Sequence, residues 1–269
     1  MKRSLSFLTL LALLILSLSA ASAQEKEKLS GIEIINKHLA AAGGKAAFSK
    51  FKSRVAIGTA KKDNDFAIPV AIMSEPKRVS AVYQFQGYNW YLIYDGSKPS
   101  VRPVMSQAAT PIMHKYEEML MTGTMFNDIS LFNVLHQSGS EELKFEAKGM
   151  KKIQGKQAYV VEMTNGKGQA LRLYFDAENF MWLRTDYGNV QVTRNLGTFT
   201  NAVTNKDQET TFDFYVETSD FKEVDGVKLP FKFEIVATAP ILKQKSVGTI
   251  VTTINEYKHN IAIDPKMFQ

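Results

Sequence analysis

Four histidines, His38, His114, His136 and His259, are the only imidazoles in the 269-residue chain, and they lie far apart in sequence. None has a second histidine at the helical spacing of a zinc site, and no His-Glu-x-x-His run occurs. His114 with Glu117 or Glu118 could meet on one helix face and hold a metal weakly, but a solvated polar face is the stronger reading. Asp63-Asn64-Asp65 has the opening acids of a calcium loop without the glycine and closing glutamate that such a loop needs, so it reads as a turn. There is no Gly-x-Ser-x-Gly elbow, phosphate-binding glycine loop or dinucleotide fingerprint. With no cysteine, the chain has neither disulfide nor thiol nucleophile. Asp220 and Asp225 flank a turn, where acids commonly cap backbone N–H groups. No catalytic residue, metal ligand or cofactor is assigned.

What the residues do offer is apolar chemistry. Met105, Met113, Met119, Met121 and Met125 place five of the 11 methionines in one segment. Methionine is flexible and polarizable, and suits surfaces that accept varied apolar shapes, although it also fills ordinary cores. Upstream, Tyr83, Phe85, Trp90 and Leu92 alternate onto one face of two neighbouring predicted strands. Together these predict a cavity lined by Tyr83, Phe85, Trp90 and Leu92 and covered by Met113, Tyr116, Leu120 and Met121, with Gly123 as a hinge. An acyl chain is the natural occupant. Each buried methylene is worth about 0.8 kcal/mol, so a chain of about 16 carbons supplies on the order of 10 kcal/mol before ordering costs.

The elements that must position these residues follow from periodicity. Ser30 and Glu33 fit a capping box, and Ile32, Ile35, Leu39 and Ala42 then recur at helical spacing until Gly43-Gly44. A short helical turn through Ala46, Ala47 and Phe48 follows. From Phe51 the period becomes two, predicting strands around Val55–Thr59, Phe66–Met73, Arg78–Gln86 and Tyr88–Tyr94. Thr110-Pro111 opens a helical insertion within Met105–Gln137. Strands resume near Leu143–Lys148, Gln157–Met163, Ala170–Phe175, Met181–Asp186, Gly197–Thr204, Thr210–Phe221, Val227–Ala237 and Val247–Tyr257, with Asp225-Gly226 as the clearest turn. The expected class is mainly β with helices (α+β): a strongly curved antiparallel sheet forming an incomplete β-barrel covered by helices.

Residues 1–23 read as a secretory signal peptide: Lys2 and Arg3, an apolar run Leu5–Leu18, then the small-residue site Ala21-Ser22-Ala23. Residues 24–269 then form one periplasmic domain, expected to be a monomer. The formal charge of +6 loses two units with Lys2 and Arg3, and the remaining surplus is scattered beside turns. That distribution argues against a nucleic-acid partner and permits only weak, transient contact with anionic lipid surfaces.

Several segments resemble LolA-like outer-membrane lipoprotein-sorting proteins. They are the opening helix Ile34–Gly44 running into Phe51-Lys52-Ser53-Arg54 and Gly58-Thr59, the pair Gly149–Gly155 with Ala158-Tyr159, and the hairpin Leu173–Asp176 through Trp182-Leu183-Arg184. The hairpin Thr218–Pro230 and the closing Asn255, Ile263-Asp264 and Phe268 are similar to that family as well. The resemblance implies a half-barrel whose concave side, under helices, holds lipid or the acyl groups of a lipoprotein without catalysis. It also implies an arginine that helps close the cover; Arg54, Arg78, Arg172 and Arg184 lie in predicted strands, and no local motif selects among them. The alternative within the same fold is a sensor or interaction module for an envelope protein partner.

Overall fold

A computed structural model describes residues 29–62, 66–85, 87–97, 99–102, 143–166, 168, 170–194, 208–238 and 248–269. The chain divides into two compact units, Met1–Ser30 and Gly31–Gln269, and the second holds every element named here. The helical insertion expected over Met105–Gln137, the strand expected near Gly197–Thr204, His114 and His136, and the Asp63–Asp65 turn lie outside the described residues.

The chain opens with α1 (Gly31–Ala41) and α2 (Lys45–Phe48). Helix α1 ends where predicted, because Gly43 takes φ 124° and the amides of Gly43 and Gly44 turn back to Ala40 O and Leu39 O, satisfying carbonyls that the helix leaves unpaired. Its buried face differs from the one expected. Ile34, Ile35, His38 and Leu39 are buried, while Ile32 is 38% exposed. The cause is Gly31, which lies so close to the Phe145 backbone that an added Cβ would stand 2.5 Å from its carbonyl carbon. That contact turns the line Gly31, Ile34, Ile35 and His38 toward the sheet, and Ile32 away from it.

Among the described residues, twelve strands form one antiparallel sheet. The first group is β1 (Arg54–Lys62), β2 (Ile68–Glu75), β3 (Arg78–Phe85), β4 (Tyr88–Tyr94) and β5 (Pro99–Arg102). The second is β6 (Leu143–Ile153), β7 (Lys156–Asn165), β8 (Ala170–Asp176), β9 (Trp182–Arg194), β10 (Gln208–Val224), β11 (Val227–Thr238) and β12 (Gly248–His259). The spatial order is β5-β4-β3-β2-β1-β12-β11-β10-β9-β8-β7-β6. Both groups are hairpin meanders, and the ladder between β1 and β12 joins them. Strands β5 and β6, consecutive in the described chain, form the two opposite edges and are not paired with each other. β5 is an addition to the expected set.

Following the ladders from β3 to β7 shows one largely buried face: Ala81 and Ile72, then Ala56, Ile254, Thr252, Phe233, Val216, Leu173 and Val161. Continuous burial on a single face fixes register, since a slip by one residue would expose the whole apolar set. Polar groups within it are paired. Trp182 Nε1–H donates to Thr185 Oγ1 at 3.0 Å, and the Thr218 hydroxyl donates to the Trp182 carbonyl at 2.6 Å. Helix α1 lies against β6 and β7, while the C-terminal 3-10 turn Pro265–Phe268 lies against β3 and β4. That turn is held by the Arg78 guanidinium, 4.5 Å from the Phe268 ring, and by Arg102, which donates to Lys266 O. Arg78 and Arg102 both stand on the face opposite Val79, Tyr83 and Trp90.

Candidate functional site

At the β3–β4 end, the buried face carries the residues singled out for an apolar cavity. Tyr83 stands opposite Trp90, Ala81 opposite Leu92 and Phe85 opposite Tyr88, so all four sequence-predicted strand residues share one face. Tyr83, Trp90 and Leu92 keep an intermediate exposure, and Tyr88 is 70% exposed. Beside them the ladder places small residues: Gly58 faces Val70, which faces Tyr83, and Ala56 faces Ile72, which faces Ala81. Small residues thus lie in register beside large ones, and this aromatic end of the face, where Ala56, Val70, Ile72 and Ala81 are themselves buried, is the candidate trough. A Cβ on Gly58 would stand 2.0 Å from Thr253 O, so the strand crossing at the bulge after Ile57 requires glycine there. The Tyr83 phenol is pushed up to about 12 by desolvation, and it makes no hydrogen bond among the described residues. The C-terminal turn sits on the other face of these strands and α1 sits at β6 and β7, so neither covers the trough.

The other four predicted residues, Met113, Tyr116, Leu120 and Met121, lie outside the described residues.

A second feature went unrecognised in the sequence. Arg54, at the start of β1, is opposite His259, at the end of β12, and is only 1% exposed. Its Nε–H donates to His259 Nε2 at 3.2 Å, while His259 Nδ1 lies 2.7 Å from an Asp225 carboxylate oxygen in the β10–β11 turn. The Phe51 ring stacks on His259 with centroids 3.7 Å apart, and the Arg54 guanidinium lies 5.8 Å from the Tyr257 ring. Desolvation lowers Arg54 to about 10 and lowers His259 below its usual 6.5. The residues come from three places in the chain: the β1–β12 ladder sets Arg54 opposite His259, and the β10–β11 turn brings Asp225 to the ring.

A cleft of about 530 Å³ opens elsewhere, on the opposite face across β7–β10; it includes none of the eight residues predicted to line or cover the cavity, but two of the candidate arginines, Arg172 and Arg184, line it. Several of the polar groups in and beside it pair with one another. Tyr174 donates to Asp186 at 2.7 Å, Arg184 pairs with Asp186 at 2.5 Å and lies 3.5 Å from the Tyr215 ring centre, and Glu162 is shared by Lys148 and Arg172. Such a network stiffens a surface. Among the described residues no three His, Asp or Glu side chains gather at a spacing that would hold a metal, and no helix is long and apolar enough to cross a membrane.

No family model and no curated protein matches the chain. Solved structures similar to it include a LolA superfamily protein from Nitrosomonas europaea, 12% identical, with 90% of this chain and 98% of that one covered and a TM-score of 0.48. A Vibrio parahaemolyticus domain named for outer-membrane lipoprotein sorting is 10% identical, with 88% and 95% covered and a TM-score of 0.45. The Pseudomonas aeruginosa MucA/MucB complex contains a chain 9% identical, with 86% and 99% covered and a TM-score of 0.24.

Proposed function

We propose that this chain is a noncatalytic binding protein of the bacterial periplasm that holds the acyl chain of a lipid or lipoprotein against the β3–β4 face. One observation carries the reading: Tyr83, Trp90 and Leu92 keep part of their surface exposed beside small residues, on a face that is largely buried from Ala81 to Val161. A half-covered aromatic wall beside small residues suits a long, flexible, featureless ligand, because burial rewards each methylene and requires no directional partner. The twelve-strand sheet would curl into an incomplete barrel around that ligand, and the signal-like first 23 residues would deliver the protein to the compartment where acyl groups need a carrier.

The test is native mass spectrometry of protein purified from the periplasm without detergent, followed by extraction of whatever is bound. A stoichiometric acylated molecule, lost from a Tyr83→Ala/Trp90→Ala variant, is the expected result. A clean ligand-free mass from protein that also rejects added fatty acid would overturn the reading.

A further inference from the structure

We infer that the Asp225–His259–Arg54 chain is an acid-sensitive latch joining the first strand, the last strand and the β10–β11 turn. The hydrogen bonds leave the neutral ring one arrangement. Arginine has no acceptor, so His259 Nε2 must offer its lone pair to the Arg54 Nε–H, and the ring proton must sit on Nδ1, donated to Asp225. The bonds around this point tie the same elements. Asn260 Oδ1 accepts from the Lys52 amide at 2.8 Å, the Asn260 amide donates to Ser53 O at 3.0 Å, and the Ser53 hydroxyl donates to Ile261 O at 2.7 Å. Asn260 and Asp225 both hold positive φ, 58° and 51°, so the chain turns tightly on both sides of the ring.

A proton added at Nε2 removes the only acceptor His259 offers to Arg54 and sets a second positive charge 3.2 Å from a guanidinium that is 1% exposed. The charged groups acting on His259 are Arg54 from β1, which opposes the proton, and Asp225 from the β10–β11 turn, which favours it. The Phe51 ring covers its face, and Tyr257, beyond Arg54, is kept neutral by burial that raises its phenol. The protonated ring is therefore drawn toward exposed Asp225 and away from buried Arg54. That movement separates the turn from β1.

The sign follows from the lowered folded value. The unfolded chain takes up the proton first as pH falls below about 6.5, so the latch is closed at neutral pH and weakens on acidification.

Hydrogen exchange of the Lys52 and Asn260 amides, read by NMR with the His259 ring nitrogens, tests this directly. After correction for intrinsic rates, exchange at about pH 5 is expected to be about tenfold faster than at about pH 7.5, following the His259 titration. Asp225→Asn, which removes the charge that favours protonation, should move the onset to lower pH. His259→Asn, which keeps one donor and one acceptor but cannot be protonated, should abolish the dependence. Exchange that ignores the His259 titration, or that rises equally in His259→Asn, would overturn the inference. Should His259→Asn not fold, the direction of the Asp225→Asn shift decides the matter.

Discussion

At the β7–β9 end of the sheet, Val161, Leu173 and Phe175 have no exposed surface and Trp182 has 1%, whereas at the β3–β4 end Tyr83, Trp90 and Leu92 on the same face remain partly exposed. Both ends are rich in large apolar side chains, so composition does not distinguish them. What differs is the described cover. Helix α1 brings His38 against Phe175, with ring centroids 4.9 Å apart, and His38 Nδ1 donates to Phe180 O at 2.9 Å. The trough has no such helix among the described elements. An end closed by its own chain stabilises the fold, and an end left partly open can hold something else.

The largest effect should therefore appear at the closed end. Phe175→Ala leaves a cavity among residues that cannot collapse without moving α1, and should cost about 3 to 5 kcal/mol in urea unfolding. Binding of a fluorescent acyl probe by the molecules that remain folded should be unchanged. Loss of probe affinity in step with stability would break the division between the two ends.

Next in size is the acid sensitivity of the helix cover. Burial lowers His38 from 6.5 to about 4, against a smaller opposing contribution from its bond to Phe180. The folded value is depressed, so as pH falls from 6.5 toward 4 the unfolded chain binds a proton that the native one refuses, and stability present at neutral pH is lost. The interval corresponds to about 3 kcal/mol. Urea midpoints measured at neutral pH and near the lower limit should differ accordingly in the native protein. His38→Gln, whose amide can still donate to Phe180 O, should flatten most of the slope and leave the smaller dependence belonging to His259. A slope that survives His38→Gln unchanged would place the acid-sensitive group elsewhere.

How far the sequence disclosed these two ends depends on what a local pattern can hold. Alternation found Tyr88–Tyr94 to the residue and put Tyr83, Trp90 and Leu92 on one face, because period two and short turns are properties of adjacent residues. It was silent on the pairing of β1 with β12, and hence on Arg54 meeting His259 across 205 positions. Alternation names a face but no partner. The helix error has a similar origin: Ile32, Ile34 and Ile35 are equally apolar, and the choice among them was made by Gly31 pressing on Phe145, a tertiary contact. For the proposed site, the shared face of Tyr83, Trp90 and Leu92 was legible from aromatic spacing, while the small residues beside them, Ala56, Gly58 and Ala81, look unremarkable until the ladders align them.

The smallest stability change, and the one that most sharpens the comparison, is expected at Trp90. Trp90 is partly exposed, so removing its ring forfeits only part of the burial that makes a core tryptophan costly, and Trp90→Ala should lower stability by about 1 kcal/mol or less. If an acyl chain completes the burial of that ring, the same substitution removes about 1.5 to 3 kcal/mol of contact from the complex. Probe affinity should then fall about tenfold or more. Tyr83→Phe separates the two properties further: the phenol is desolvated and makes no hydrogen bond among the described residues, so deleting the hydroxyl should leave stability unchanged or slightly raised while affinity for an acyl chain is kept. Trp90→Ala destabilised as strongly as Phe175→Ala, with affinity intact, would make the trough a second closed core.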